Sequence, residues 1–387
     1  MKLMVCTSRV PYPLDKGDKL RAYYQIKELS KKHEIYLCCL NNEALSPETH
    51  SELNKYCKEV HIFQLNKISI FINLLLSVFT VHPLHVAYFY NRRHKASIQK
   101  IHDNIQPDRI LCQLIRMAPY VISLSSKKCI DFMDVFSVGI KRRAKKSKLF
   151  LKPVFYYEAF KLKRYEVRCA RLFDAQCIIS EADKHLLPLI EKGEIKVIAN
   201  GVDFDFFKKS TTETIKKYDL VFVGNMSYAP NILAAEFLAN QIMPALCEIM
   251  PTAKLLLAGT NPDKKVKALA TKQIVVSGFI KDIRDAYNQA HLFIAPMQIG
   301  TGLQNKLLEA MAMEIPCITS PLAAKGIKAS SDSLRCGSSI TEYVDHILAL
   351  LNNPAEKNKQ VSNALLFVKK KYHWRQICND LDKMLQG

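Results

Sequence analysis

"IGTGLQNKLLEAMAMEIPCITSP", residues 299–321, is the stretch on which the reading of this chain turns. Gly300 and Gly302 flank Thr301, Leu303 opens an apolar, helix-like run carrying Lys306 and Glu309, and after Pro316 the pattern becomes a short strand. Glycines at such a turn let backbone approach a ligand closely. Free N–H groups and the positive end of a helix then favour a phosphate. Lys306 and Glu309, three apart, share one helix face. A lysine there can neutralise a diphosphate, and a carboxylate one turn deeper suits paired ribose hydroxyls. A glycine-flanked helix with a solvent ion pair fits the same residues.

Outward from this stretch the pattern is regular. "LVFVG" (220–224), "KLLLAG" (254–259), "IVVSGF" (274–279), "HLFIAPM" (291–297) and "PCITS" (316–320) read as strands, with helices starting at Pro230 and near Asp282 between them. The first half repeats the alternation in "LMVCTS" (3–8), "EIYLCCL" (34–40), "VHIFQL" (60–65), "RILCQL" (109–114), "KCIDFM" (128–133), "AQCIIS" (175–180) and "KVIAN" (196–200). Runs that are apolar throughout, separated by helical patterns, imply parallel sheets covered on both faces. The expected fold is therefore α/β, with two Rossmann-like doubly wound domains facing across a cleft. The polar stretch "KKSTTETIKKYD" (208–219) is the candidate linker. The expected divisions are 1–205, 206–370, and a C-terminal helix, 371–387, that packs back on the first domain.

The chain has 387 residues, 49% of them hydrophobic and 24% charged, which suits a globular protein with a sizeable core. Its 12 cysteines are scattered without a C-x-x-C, so they read as reduced thiols in a cytoplasmic protein rather than as a disulfide framework or a metal site. "MKLMVCTSRVPYP" lacks the long apolar core of a signal peptide. "ISIFINLLLSVFTV" (68–81) is too short to span a bilayer. It reads as a buried helix or helix pair, with a helix lying in a membrane surface as the alternative.

Net charge is +20, and between Lys141 and Arg171 twelve basic residues face only Glu158 and Glu166. Such a patch attracts anionic lipid, a phosphorylated substrate or nucleic acid, or forms a solvated face. No zinc finger or RNA-recognition signature supports a nucleic-acid partner. Absence of G-x-G-x-x-G after a first strand, of G-x-x-x-x-G-K-[ST] and of G-x-S-x-G argues against a dinucleotide-dependent dehydrogenase, a P-loop ATPase and an α/β serine hydrolase.

"GTGLQNKLLEAMAMEIPCITS" resembles the donor-binding segment of family 4 glycosyltransferases, which have the GT-B fold. "SRVPYPLDKGDKLRAYY" is similar to that family's N-terminal glycine loop, "ISEADKHLL" and "VIANGVDFDFF" to the segment closing its first domain, and "VFVGNMSYAPN" to the first strand and turn of its second. The nearest subset is the bacterial sugar transferases of exopolysaccharide and exosortase-type loci. The resemblance spans residues 3 to 375. It implies transfer of a sugar from a nucleotide-sugar to a glycan or lipid-linked acceptor, with retention, at the inner face of the membrane. It implies no metal and no cofactor. A sugar-nucleotide epimerase of the same fold is the alternative.

In this reading Gly17, Gly224, Gly300, Thr301, Gly302, Leu303, Lys306 and Glu309 contact the donor, and Lys16 and Arg21 reach an acceptor or a phosphate. Asp134, in "IDFMDVFS", stands where the family often has a histidine, so Asp134 and Glu309 are the candidate catalytic groups. The chain departs from the family where a first glutamate is expected, at Thr301. It also lacks the Arg and Lys that commonly follow the second domain's first strand, which leaves Lys306 as the substitute cation. "DFD" at 203–205 reads as a structural turn and Asn231 as a turn stabiliser.

Overall fold

The computed structural model describes residues 1–188, 195–210, 214–299 and 302–387, with the side chains of Val78 and Lys146 excepted. The chain forms two compact units, Met1–Ala199 with Ile377–Gly387, and Asn200–Gln376. The division falls before Gly201, upstream of both the expected 205/206 boundary and the polar stretch at 208–219.

The first unit holds strands β1 (Lys2–Thr7), β2 (Glu34–Asn41), β3 (Glu59–Gln64), β4 (Arg109–Gln113), β5 (Lys127–Asp131), β6 (Ala175–Ile178) and β7 (Lys196–Val197). They form one parallel sheet in the order β3-β2-β1-β4-β5-β6-β7. β1 is buried at every position after Lys2, because helices cover both faces. Strands this enclosed must be apolar on both sides, which is why they stand out as continuous runs. The order reverses between β1 and β4, the point where open α/β sheets bind ligands at their carboxyl ends.

The second unit repeats the plan with β8 (Tyr218–Val223), β9 (Leu255–Ala258), β10 (Ile274–Gly278), β11 (Ala290–Ala295), β12 (Cys317–Thr319) and β13 (Arg335–Cys336), ordered β10-β9-β8-β11-β12-β13 and all parallel. Its reversal lies between β8 and β11. β13 is only two half-buried residues long, too short to mark itself in the sequence. The helical run Ala229–Ile249 is long and apolar enough to cross a membrane, but Ala234, Ala235, Leu238, Ile242 and Leu246 within it are buried in this unit.

The C-terminal stretch packs with the first unit. Cys378 Sγ lies 3.9 Å from the Tyr24 carbonyl, Asp382 Oδ1 lies 2.8 Å from His33 Nε2, and Arg109 Nε donates to the Leu385 carbonyl at 2.7 Å. All twelve cysteines are unpaired and ten are buried. The buried-helix expectation for 68–81 fails. In the helix Lys67–Leu76 only Ile70 is buried, while Ile68, Phe71, Leu75 and Leu76 are exposed.

Candidate functional site

The site in the second unit is built at the carboxyl ends of β8 and β11. Helix Asn305–Ala312 begins after β11 and buries Leu307, Leu308, Ala310, Met311 and Ala312. That leaves Lys306 and Glu309 half-buried on the other side. The two side chains turn to different partners. Lys306 Nζ donates to Asn231 Oδ1, lies 3.9 Å from Met297 Sδ and stands 4.7 Å over the Phe222 ring. Glu309 accepts from the Tyr287 hydroxyl at 3.1 Å. Burial pushes the Lys306 ammonium down to about 7, with the Glu309 charge opposing that fall. Burial likewise pushes the Glu309 carboxyl up, against the Tyr287 hydrogen bond and Lys306. Burial disfavours the charged form of each group, so an ion of opposite sign beside either one is favoured.

Gly224 closes β8 against this lysine. A Cβ on it would stand 2.7 Å from Asn231 Nδ2 and 3.3 Å from Lys306 Nζ, so only glycine fits. Gly259, after β9, has φ +144°, and its Cβ would fall 1.7 Å from the Gly224 carbonyl oxygen. The two glycines bring bare backbone to the mouth of the sheet. Asn231, 4% exposed, ties the parts together, since its Nδ2 donates to the Asn225 carbonyl at 2.8 Å while its Oδ1 receives Lys306. It stabilises the turn as expected, and it also positions the lysine. Gln304 Nε2 donates to the Gly302 carbonyl at 3.2 Å, bracing the loop that enters the helix, while Leu303, which follows Gly302, is half-buried. Asn200 Nδ2 is 3.4 Å from Asn305 Oδ1. Gly300 and Thr301 lie outside the described residues.

In the first unit the expected residues divide. Arg21 is fully buried. Its Nε donates to Asp131 Oδ2 at 2.6 Å and its Nη1 to the Ala199 carbonyl at 3.0 Å, and Gln25 completes the carboxylate at 2.9 Å. The expectation that Arg21 reaches an acceptor or phosphate is therefore corrected: its charge is neutralised inside the unit. Lys16 is paired with Glu43, which Lys19 also approaches at 3.2 Å. Gly17 starts the helix Gly17–Leu29, and a Cβ there would meet nothing within 4 Å. Asp134 is exposed beyond β5, and its Oδ1 accepts from the Val135 amide at 2.7 Å, a helix-entry role. Asp203 Oδ1 accepts from the amides of Asp205 and Phe206, making "DFD" a turn. Among the described residues no cluster of three His, Cys, Asp or Glu could hold a metal ion.

Sequence reasoning passed over Tyr287 and Gly259. Tyr287 had no signal, because its hydroxyl meets Glu309 only through the packing of helix Arg284–Asn288. Gly259 could have been found, as a glycine ending the strand next to the one that Gly224 ends.

Comparison with known proteins bears on the fold. Residues 217–353 match the family model for glycosyl transferases group 1. An "uncharacterized 44.6 kDa protein in cps region" of Klebsiella pneumoniae is 22% identical over 99% of both chains. Sucrose-phosphate synthase of Thermosynechococcus elongatus superposes with a TM-score of 0.69 at 13% identity, covering 100% of this chain and 98% of that one. HepE of Anabaena, solved in complex with UDP and glucose, gives 0.69 at 14% identity over 100% of both chains. The fold is GT-B, with two Rossmann-like domains.

Proposed function

We propose that this protein transfers a sugar from a nucleoside diphosphate sugar to a glycan or lipid-linked glycan in cell-surface polysaccharide synthesis. The observation that carries this is Lys306. It is a half-buried lysine with a lowered pKa, set among close-approach glycines at the reversal of a sheet that matches the group 1 glycosyl transferases. In the reaction, the bond from the sugar C1 to the donor diphosphate breaks and its electron pair leaves with the nucleoside diphosphate. The acceptor hydroxyl oxygen forms the new bond to C1, and its proton passes to the leaving diphosphate. Lys306 and the backbone N–H group at Gly302 stabilise the charge that develops on the diphosphate, and Gly224, whose own N–H is held by the Ala258 carbonyl at 3.0 Å, leaves room for the close approach. Glu309, with its raised pKa, faces the donor sugar or ribose hydroxyls, and Asp134 is the first unit's candidate for the acceptor side. No metal or cofactor is assigned. Retention of configuration follows the family resemblance and is read directly from the anomeric signal of the product.

The membrane is the proposed place of work, at the cytoplasmic face. In the first unit Ile68, Phe71, Leu75, Leu76 and Phe79 are exposed, as are Leu149, Phe150, Val154, Tyr157 and Phe160. The two groups are tied together, since Lys161 Nζ donates to the Thr80 carbonyl at 2.8 Å. Arg143, Lys161 and Arg164 lie over the Phe155, Tyr157 and Phe160 rings at 4.9, 5.7 and 5.6 Å. Apolar tips interleaved with cations match an anionic lipid surface. The cps-region relative agrees with a cell-surface polysaccharide as product.

The test is a thermal-shift screen of the full chain against UDP, GDP, ADP and their sugar conjugates, with Lys306→Met and Glu309→Ala alongside. One nucleotide raises Tm of the parent and not of the variants. If no nucleotide or conjugate shifts Tm, the proposal fails.

A further inference from the structure

The reversal of the first sheet carries its own cluster of unsatisfied donors. Ser8 and Arg9 follow β1, and Arg116 follows β4, its neighbour across the reversal. Ser8 is 1% exposed, and its Oγ is buried without a hydrogen-bond partner. The same holds for Nε of Arg9 and Nε of Arg116. Arg9 Nη1 reaches Asp18 Oδ2 at 2.5 Å, and Gln113 Nε2 holds the Asp18 carbonyl at 2.9 Å. Arg116 has no carboxylate partner among the described residues. Its guanidinium instead lies over the Phe89 ring and over the Phe136 ring, each 4.8 Å away.

Buried polar groups without partners are uncommon and call for an explanation. The three orphans share one capacity, since each can donate. The ligand that satisfies them must bring acceptor oxygens. The two guanidiniums add a requirement for negative charge, of which Asp18 supplies one unit, while the charge of exposed Asp134 also acts on Arg116. Burial, and after it the Arg9 charge, lowers the Arg116 pKa to about 10, with Asp18 and Asp134 opposing the fall. Two like charges that follow neighbouring strands and repel each other favour an anion near both. Two ring contacts restrict the rotamers of Arg116, whose planar fork meets a phosphate or carboxylate through two oxygens.

We infer that Ser8, Arg9 and Arg116 form an oxyanion site in the first unit that holds the acidic group of the acceptor, a phosphate or a carboxylate, while the donor diphosphate is held at Lys306. The inference rests on the glycosyltransferase reading for the word acceptor and on this geometry for the site itself. It adds a specificity that the fold does not dictate: neutral glycans are poor acceptors, and acceptors carrying a diphosphate-linked lipid or an acidic sugar are good ones.

Calorimetry on the full chain tests it with two probes, geranyl diphosphate for a lipid-linked acceptor and glucuronic acid for an acidic sugar. Variants are Arg116→Met, which keeps the ring contacts without the charge, Arg116→Lys, which keeps the charge without the fork, and Ser8→Ala. The better-bound probe identifies the source of the oxyanion. Its affinity is expected to fall roughly ten- to hundred-fold in Arg116→Met and by less in Arg116→Lys, the range for a lost charge-assisted pair. Nucleotide affinity is expected to stay unchanged in all three variants and to be lost in Lys306→Met, which leaves probe binding intact. Three results overturn the site: neither probe binds the parent, Arg116→Met binds as tightly as the parent, or Arg116→Met loses nucleotide affinity in parallel. Failure of the transferase reading looks different, because the parent then binds a probe but no nucleotide.

Discussion

Lys306 makes the affinity for a nucleotide-sugar depend on pH in a window where few other groups act. In the free protein its pKa is lowered to about 7, chiefly by burial. A diphosphate beside the ammonium favours the charged form and raises that pKa toward the ordinary lysine value of 10.5. Below about pH 7 the lysine is already charged when the ligand arrives, so affinity is at its plateau. Above it, binding must take up a proton, and affinity falls. The charged fraction drops about tenfold between about pH 6 and about pH 8, which corresponds to ~1.4 kcal/mol of binding free energy. The diphosphate of a nucleotide-sugar does not itself titrate there, so the slope reports the protein. Calorimetry in buffers of differing ionisation enthalpy measures both the slope and the proton uptake. Lys306→Met is expected to bind weakly with neither slope nor uptake, and Glu309→Gln to keep both. An affinity that is flat between about pH 6 and about pH 9, or a slope that survives in Lys306→Met, refutes the assignment. Without ligand the same lysine destabilises the fold as pH falls from 10.5 toward 7, because the unfolded chain takes up the proton first. In Lys306→Met that dependence disappears.

Three further outcomes follow from the packing. Gly224→Ala places a methyl 2.7 Å from Asn231 Nδ2, so it is expected to displace Asn231 and Lys306, lower stability by roughly 1–3 kcal/mol, and abolish the nucleotide-induced Tm shift; an unchanged shift contradicts the close-approach role. Asp131→Ala leaves the buried Arg21 guanidinium without its carboxylate and is expected to lower stability by ~3–5 kcal/mol in urea unfolding; a loss under ~1 kcal/mol returns Arg21 to the list of candidate ligand-binding groups. Glu166 is buried beneath Ser137, whose amide and hydroxyl approach its oxygens at 3.0 and 2.6 Å, and burial pushes its carboxyl up from 4.5 to about 7. Its native form therefore holds a proton that the unfolded chain releases above 4.5, and the fold loses stability as pH rises from there to about 7. Glu166→Gln is expected to stabilise by roughly 1–3 kcal/mol at about pH 8 and to change little at about pH 4; equal effects at both pH values contradict this.

The elements were legible because of how they are buried. Central strands covered on both faces must be apolar at every position, and among the described residues twelve of the thirteen strands, the partly exposed β3 and β10 included, appear as runs in the sequence, with ends misplaced by a few residues. β13 escaped because two residues at a sheet edge carry no pattern. Lys306 was legible for a different reason, since a glycine-bearing turn entering a helix after a strand restricts what one cation there can do. Its partners were harder to see. Asn231 is seventy-five residues away in the chain and meets Lys306 only because β8 and β11 are neighbours.

The arginines of the first unit show where sequence reasoning stops. Arg9 and Arg21 flank the same glycine loop, and composition treats them alike. What separates them is the order of the sheet. β5 carries Asp131 to the buried Nε of Arg21, 110 residues distant, and cancels that charge. β4 leads instead to Arg116, and that guanidinium has no carboxylate partner among the described residues. A cation becomes a ligand site or a structural brace according to which strand end arrives beside it. That is a property of topology, and it is why the residue chosen from the motif proved to be the brace while the unremarked arginine after β4 is the one with capacity to bind.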